Sequence, residues 1–160
     1  MRITNVATTR HDAERVSIFV DDRYVLACHA LIWLASGLHP DDEVTEADLD
    51  RLRAAEDRHA VKDRALGLLA RRPRSRAEMQ RRLARGTPAH PPPPPDLVRA
   101  VLDELAETGL LDDGAFAAYW VEQRDRFRPK GSRALRAELA QQGIARDEAA
   151  EAVAPERDLE

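Results

Sequence analysis

The sequence predicts a mainly α protein of tandem three-helix repeats, preceded by a small N-terminal segment that contains a β-hairpin. Three observations carry that expectation. The segment Arg-Pro-Arg-Ser-Arg-Ala-Glu-Met-Gln-Arg-Arg-Leu at residues 72–83 returns at residues 128–139 as Arg-Pro-Lys-Gly-Ser-Arg-Ala-Leu-Arg-Ala-Glu-Leu, at an ungapped offset of 56. The offset aligns Arg72 with Arg128, Pro73 with Pro129, Arg74 with Lys130, Met79 with Leu135 and Leu83 with Leu139. Beyond Thr45, apolar residues recur at helical spacing in runs closed by Gly or Pro. The first 28 residues have an extended character instead.

In chain order, Ile3 to Val6 is a short apolar start, and Val16, Ile18 and Val20 alternate along a strand. Asp21-Asp22-Arg23 is a turn that sends Tyr24 to Ala27 back as the second hairpin strand. Ala30 to Ala35 reads as a short buried helix, ended at Ser36-Gly37 by a glycine able to take the left-handed cap conformation. Thr45 opens the next helix with a Thr-x-x-Asp capping pattern, and Leu49 and Leu52 share a face. That helix either continues or breaks near Arg58 before the stripe Val61, Ala65, Leu68 and Leu69. Pro73 stops it, because proline disfavours the α conformation at Arg72. Ser75 caps a second helix with Met79 and Leu83 inward, and Gly86 ends it.

Pro91 to Pro95 form a polyproline II spacer inserted in a loop. A third helix, capped by Asp96, carries Leu97, Val98, Val101, Leu102 and Leu105, and Gly109 closes it. Asp112-Asp113 opens the second copy, where Phe116, Trp120 and Phe127 stand at helical spacing before Pro129. Ala134 to Gln141, then Ile144 to Val153, outline its remaining helices. The expected division is 1–57 for the hairpin-plus-helix extension, 58–112 for the first repeat with its proline insertion at 91–95, 113–155 for the second, and 156–160 for a tail.

Composition narrows the class. Charged residues make up 34 % and aromatics 4 %, which suits amphipathic helices with solvated faces. The single Cys28 excludes an internal disulfide framework and fits a reducing cytosol. No apolar run approaches the roughly 20 residues of a spanning helix. The N-terminus lacks the layout of a signal peptide, so a soluble cytoplasmic protein is expected. The net charge of −4 hides a strong asymmetry. Residues 1–57 hold 6 basic and 12 acidic side chains, residues 58–88 hold 10 and 2, and residues 124–136 hold 6 and 1. Positive charge thus collects over both copies of the doubled segment, which points to an anionic partner, either nucleic acid or an acidic protein surface. The bland alternative is a set of solvated helix faces laced with i,i+4 ion pairs.

A family resemblance rests on particular residues. These are Ala65-Leu66-x-x-Leu69 before Arg-Pro-Arg-Ser, Glu78-Met79-x-x-x-Leu83, and Val101-Leu102-x-x-Leu105-x-x-x-Gly109-Leu110-Leu111-Asp112-Asp113-x-x-Phe116-Ala117. Pro129-Lys130-Gly131, Glu138-Leu139 and Gly143-Ile144 complete the pattern. Over about residues 58–154 the chain resembles the RecX regulatory proteins, modulators of the RecA recombinase, and its N-terminal segment looks like the β-rich extension of some members. The family pattern has three repeats where this sequence shows two, and the proline insertion is unusual in it. The resemblance implies a curved helical array that lies in the groove of the RecA–DNA filament. There it blocks extension or promotes disassembly, without enzymatic activity or a cofactor and as a monomer.

The residues expected to contact a partner are Arg72, Arg74, Arg128, Lys130, Arg133 and Arg136, with Arg81, Arg82 and Arg85 extending the face. Guanidinium forks match carboxylate and phosphate alike, so these residues alone do not separate RecA from direct contact with DNA. An independent helix-turn-helix-like nucleic-acid binder and a helical scaffold are the rival classes. Tyr119 and Trp120 with Arg124 and Arg126 could stack on bases, but Phe116, Trp120 and Trp33 fit better as core. The five histidines are scattered, with no zinc-ligand spacing. Asp41-Asp42 and Asp112-Asp113 read as loop and cap residues rather than an acid–base pair. No nucleophile elbow or phosphate-binding loop is present.

Overall fold

The computed structural model describes residues 1–154, so the expected tail at 156–160 and Pro155 lie outside the described residues. The chain divides into two compact units, residues 1–60 and 61–160. In the first, β1 (Ile3–Thr8), β2 (Arg15–Val20) and β3 (Arg23–His29) form an antiparallel sheet in that order. The expected hairpin is β2–β3, and the apolar start adds a third strand, its Val6 opposite Ile18 and Thr8 opposite Val16. The β2–β3 turn places both Asp21 (φ 49°) and Asp22 (φ 64°) in the left-handed region. That is the geometry a two-residue hairpin needs to follow the strand twist. Thr4 Oγ1 accepts from the Asp22 amide at 2.9 Å, tying β1 to the turn.

Alternation sends Ile3, Ile18, Val20, Leu26 and Cys28 to one buried face, where Val44, Leu49 and Leu52 pack. Burial also pushes the Cys28 thiol up to about 11, so it stays protonated. α1 (Ala30–Ala35) corrects an expectation: it has no buried residue, and Leu31 and Leu34 are 62 % and 71 % exposed. Six residues make less than two turns, so only Ile32 and Trp33 reach the sheet cluster. Gly37 ends it at φ +74° as expected.

α2 (Glu46–Arg71) is one unbroken helix through Arg58. Its capping box is reciprocal: the Asp48 amide donates to Thr45 Oγ1 (3.2 Å) and the Thr45 amide to Asp48 Oδ2 (2.9 Å). Leu49 and Leu52 belong to the core of the first unit, and Val61 and Ala65 to that of the second. Glu56 on the same helix accepts from Arg15 at 2.6 Å and from the His29 amide at 3.0 Å.

In the second unit, α3 (Arg76–Ala84) and α4 (Pro95–Glu107) join the end of α2 around Met79, Leu83, Val98, Val101, Leu102 and Leu105. A parallel cluster gathers α5 (Asp113–Phe127), α6 (Ser132–Gln141) and α7 (Arg146–Ala152) around Phe116, Leu135, Leu139 and Ile144. Two loops differ from expectation. α4 starts at Pro95 with Pro94 as its cap, and Asp96 is in the first turn instead. Proline at the first helical position has its φ preset and lacks only an amide that would be orphaned anyway. Gly86 follows the end of α3 without taking a positive φ. A Cβ there would lie 2.8 Å from Pro92 Cδ, so glycine lets the proline loop fold back on the helix exit. Gly109 (φ +79°) and Gly143 (φ +82°) are the left-handed caps. They are followed by Leu111 N–H to Leu105 O (3.1 Å) and Ile144 N–H to Leu139 O (3.0 Å).

Candidate interaction surface at the two basic turns

The doubled segment lies at the turns α2–α3 and α5–α6. In the first turn, Arg74 is 7 % exposed; its Nε donates to Leu68 O at 2.9 Å and its Nη1 to Glu78 Oε2 at 2.5 Å. Arg72 places Nη2 at 2.8 and 3.0 Å from the two Glu78 oxygens, and Arg82 Nε is 3.3 Å from Oε2. Burial alone would raise the Glu78 pKa, but hydrogen bonds from Arg74 and Arg72 and their charge hold it below the ordinary carboxylate value. Ser75 caps α3 as expected, its Oγ accepting from the Glu78 amide at 3.2 Å. The Glu78 side chain turns to the arginines instead of completing a capping box.

In the second turn, the cation aligned with Arg74 is again held by a carboxylate, half-buried and drawn from a different position. Glu138 pairs with Lys130, accepts from Trp120 Nε1 at 2.7 Å, and accepts from Arg124 Nε at 2.9 Å. The Arg124 guanidinium lies 5.0 Å from the Trp120 ring centre. Burial opposes ionisation of Glu138, and the bonds from Lys130, Trp120 and Arg124 outweigh it, bringing its pKa down to about 2. By the 56-residue offset Glu138 aligns with Arg82, one helical turn beyond Glu78. Each copy therefore gathers cations of its own turn on one glutamate, the two glutamates placed one turn apart on the second helix, and each cluster keeps a net positive charge.

The expected contact residues thus separate. Arg74 is buried and off the accessible surface, a structural residue whose guanidinium ties the Leu68 carbonyl of α2 to Glu78 of α3. Arg72 and Lys130 are partly accessible and committed to Glu78 and Glu138. Arg128, Arg133 and Arg136 are exposed, with no side-chain ion pair among the described residues. Arg133 and Arg136, at i,i+3, share one side of α6. Trp120 is half-buried against the second core, as expected of a core residue, and Phe116 fully so. Phe127, in contrast, is 72 % exposed.

Covering of the first turn explains the asymmetry. Ser75 Oγ donates to Gln142 O at 2.7 Å, and the Arg76 amide donates to Asp113 Oδ1 at 2.8 Å. Ala77 sits where a Cβ on Gly143 would be, so this glycine serves both the cap and the joint between copies. A groove of about 470 Å³ runs beside this joint, lined by Arg72, Glu78, Tyr119, Trp120, Gln123, Arg124 and Phe127 among others. Sequence reading missed Glu78 and Glu138 as organisers. The available signal was a lone carboxylate in each copy of the doubled segment (72–83 and 128–139), next to an inward apolar residue (Met79, Leu139). No described helix is long and apolar enough to cross a membrane.

This arrangement defines a tandem three-helix-repeat protein whose first basic turn is partly covered by the second copy and whose second turn is more open. Three family models match it in order: the regulatory protein RecX N-terminal domain over residues 1–45, the RecX first three-helix domain over 62–87, and the RecX second three-helix domain over 112–153. The chain belongs to the RecX family of regulatory proteins. Regulatory protein RecX of Mycobacteroides abscessus is 43 % identical over 89 residues, covering 56 % of this chain and 41 % of that protein. The Bacillus subtilis protein of the same name is 28 % identical over 151 residues, covering 94 % and 55 %. A crystal structure of regulatory protein RecX superposes with a TM-score of 0.76 at 22 % identity over 94 % of this chain and 71 % of that one, a likeness of fold. The chain spans about half the length of the curated relatives it matches.

Proposed function

We propose that this chain regulates the RecA recombinase by binding RecA filaments on DNA and blocking their extension or promoting their disassembly. It would thereby modulate recombination, DNA repair and the SOS response. It does so as a cytoplasmic, monomeric binding protein without catalysis or cofactor. In this reading residues 1–57 are an extension, 58–112 the first repeat and 113–155 the second. The observation that carries it is the set Arg128, Arg133 and Arg136, exposed on a copy whose Arg124 and Lys130 are already paired with Glu138. Unspent guanidinium groups on a rigid helical platform suit carboxylates on a partner, since binding does not first require breaking an internal pair. A −4 chain is a poor candidate for binding DNA alone, where phosphate neutralisation dominates affinity.

The test is co-sedimentation with RecA filaments on single-stranded DNA, beside the same DNA without RecA. Filament-dependent binding with inhibition of the RecA ATPase is expected. Strong binding to bare DNA with no effect on the ATPase would overturn the reading in favour of an independent nucleic-acid binder.

A further inference from the structure

We propose that Phe127 is the apolar anchor of the α5–α6 turn and docks into a protein face that offers an apolar pocket rimmed by carboxylates. This rests on the regulatory reading above and specifies its partner surface. Phe127 is 72 % exposed, the most exposed of the large apolar side chains among the described residues. The ring is not isolated: it lines the groove with Tyr119 and Trp120, and apolar groups gathered in one exposed place mark an interaction site where a single one would not. Its surroundings are cationic: the Arg126 guanidinium lies 5.7 Å from its ring centre, and Arg128, Arg133 and Arg136 follow in a stretch with 6 basic and 1 acidic residue. A large aromatic flanked by arginines is the composition of an interface hot spot, where the ring fills a pocket and the forks meet its rim.

The first copy supplies the precedent for a protein occupant. There the aligned turn is covered by protein groups, the Asp113 carboxylate on the Arg76 amide and the Gln142 carbonyl on Ser75, with Ala77 against Gly143. At the aligned positions of the second copy, Gly131 and Arg133 are exposed, Ser132 stays buried, and the exposed Arg71 is replaced by the exposed Phe127. The turn partly covered in the first copy is thus more open in the second and has gained an aromatic ring. A base-stacking role is disfavoured by Trp120, whose face carries Arg124 and whose N–H is taken by Glu138, so the platform would shrink to Phe127 and Tyr119.

The experiment compares the full chain with Phe127→Leu, Phe127→Ala and Phe127→Arg, the last reproducing the residue aligned in the first copy. Three quantities are read: affinity for RecA filaments on single-stranded DNA, affinity for the bare oligonucleotide, and the chain's own sedimentation. Thermal unfolding is expected to be unchanged, since the side chain is exposed. Filament affinity should fall by about tenfold or more for Ala and for Arg, and much less for Leu. Equal filament affinity of Phe127→Ala and the parent chain overturns the proposal alone. A loss confined to the bare oligonucleotide reassigns the ring to base stacking, and a loss of self-association reassigns it to a second copy; either also overturns it. A parent chain that ignores the filament defeats the regulatory reading and this proposal together.

Discussion

Glu138 shows how one side chain sets both the stability and the charge of a surface. It collects Lys130, Arg124 and Trp120 Nε1, so replacing it with Ala leaves two like charges and a half-buried donor without their acceptor. We expect Glu138→Ala to cost about 2 kcal/mol in urea unfolding, less than the loss of a fully buried pair because the site keeps some access to water. The pH dependence has a definite sign. A carboxylate depressed from 4.5 to about 2 contributes its full stabilisation above pH 4.5 and loses it as the pH falls toward 2. In Glu138→Gln that acid-side loss should be smaller, read as a flatter fall of the unfolding midpoint over the same interval. Glu148 runs the other way: burial, then the charges of Asp113, Asp147, Asp112 and Glu151, raise its pKa. Its ionised form therefore opposes folding near neutrality, and Glu148→Gln should leave stability unchanged or improve it there. The clustering of arginine was legible in the sequence, but not which arginines are spent internally. That depends on a glutamate reaching back four to eight residues, a choice of rotamer and partner that periodicity does not encode.

Among the elements, helices were the most legible and their junctions the least. The stripes of α4 and α6 follow from 3.6-residue spacing alone, and Ser75, Asp112 and Thr45 cap the helices their side-chain chemistry suggests. The apolar residues of α1 suggest burial, yet burial needs a second surface, and six residues present too little of one side to the sheet. Asp96 suggests the cap of α4, but the helix starts at Pro95 because Asp competes poorly with two prolines already holding helix-ready φ values. Glycines were read as helix ends; two of them also make room for something else. Gly143→Ala would force a Cβ at positive φ into Ala77, so we expect a loss of about 2–3 kcal/mol by denaturant unfolding, the strain and the contact adding. Gly86→Ala should cost about 1–2 kcal/mol through Pro92, and a Pro92→Ala background should recover part of it. Additive costs would show that the proline loop does not rest on Gly86.

For the whole molecule, the repeat was legible but the inequality of its copies was not. An offset of 56 residues makes the two turns look equivalent, and six cations were assigned to one kind of surface. Packing of one copy on the other breaks that equivalence: the inner turn becomes a joint through Ser75, Arg76 and Ala77, and the outer turn keeps Arg128, Arg133 and Arg136 in water. The central claim is therefore that the two copies of one motif do different work, cohesion in the first and recognition in the second. Inhibition of the RecA ATPase on single-stranded DNA, titrated with a triple Arg128→Ala, Arg133→Ala, Arg136→Ala variant and separately with Arg72→Ala, tests it most directly. The account predicts that the triple variant stays folded and loses inhibition by about tenfold or more, while Arg72→Ala inhibits as the parent does after a modest loss of stability. Full inhibition by the folded triple variant, or its loss in a folded Arg72→Ala, would contradict that division.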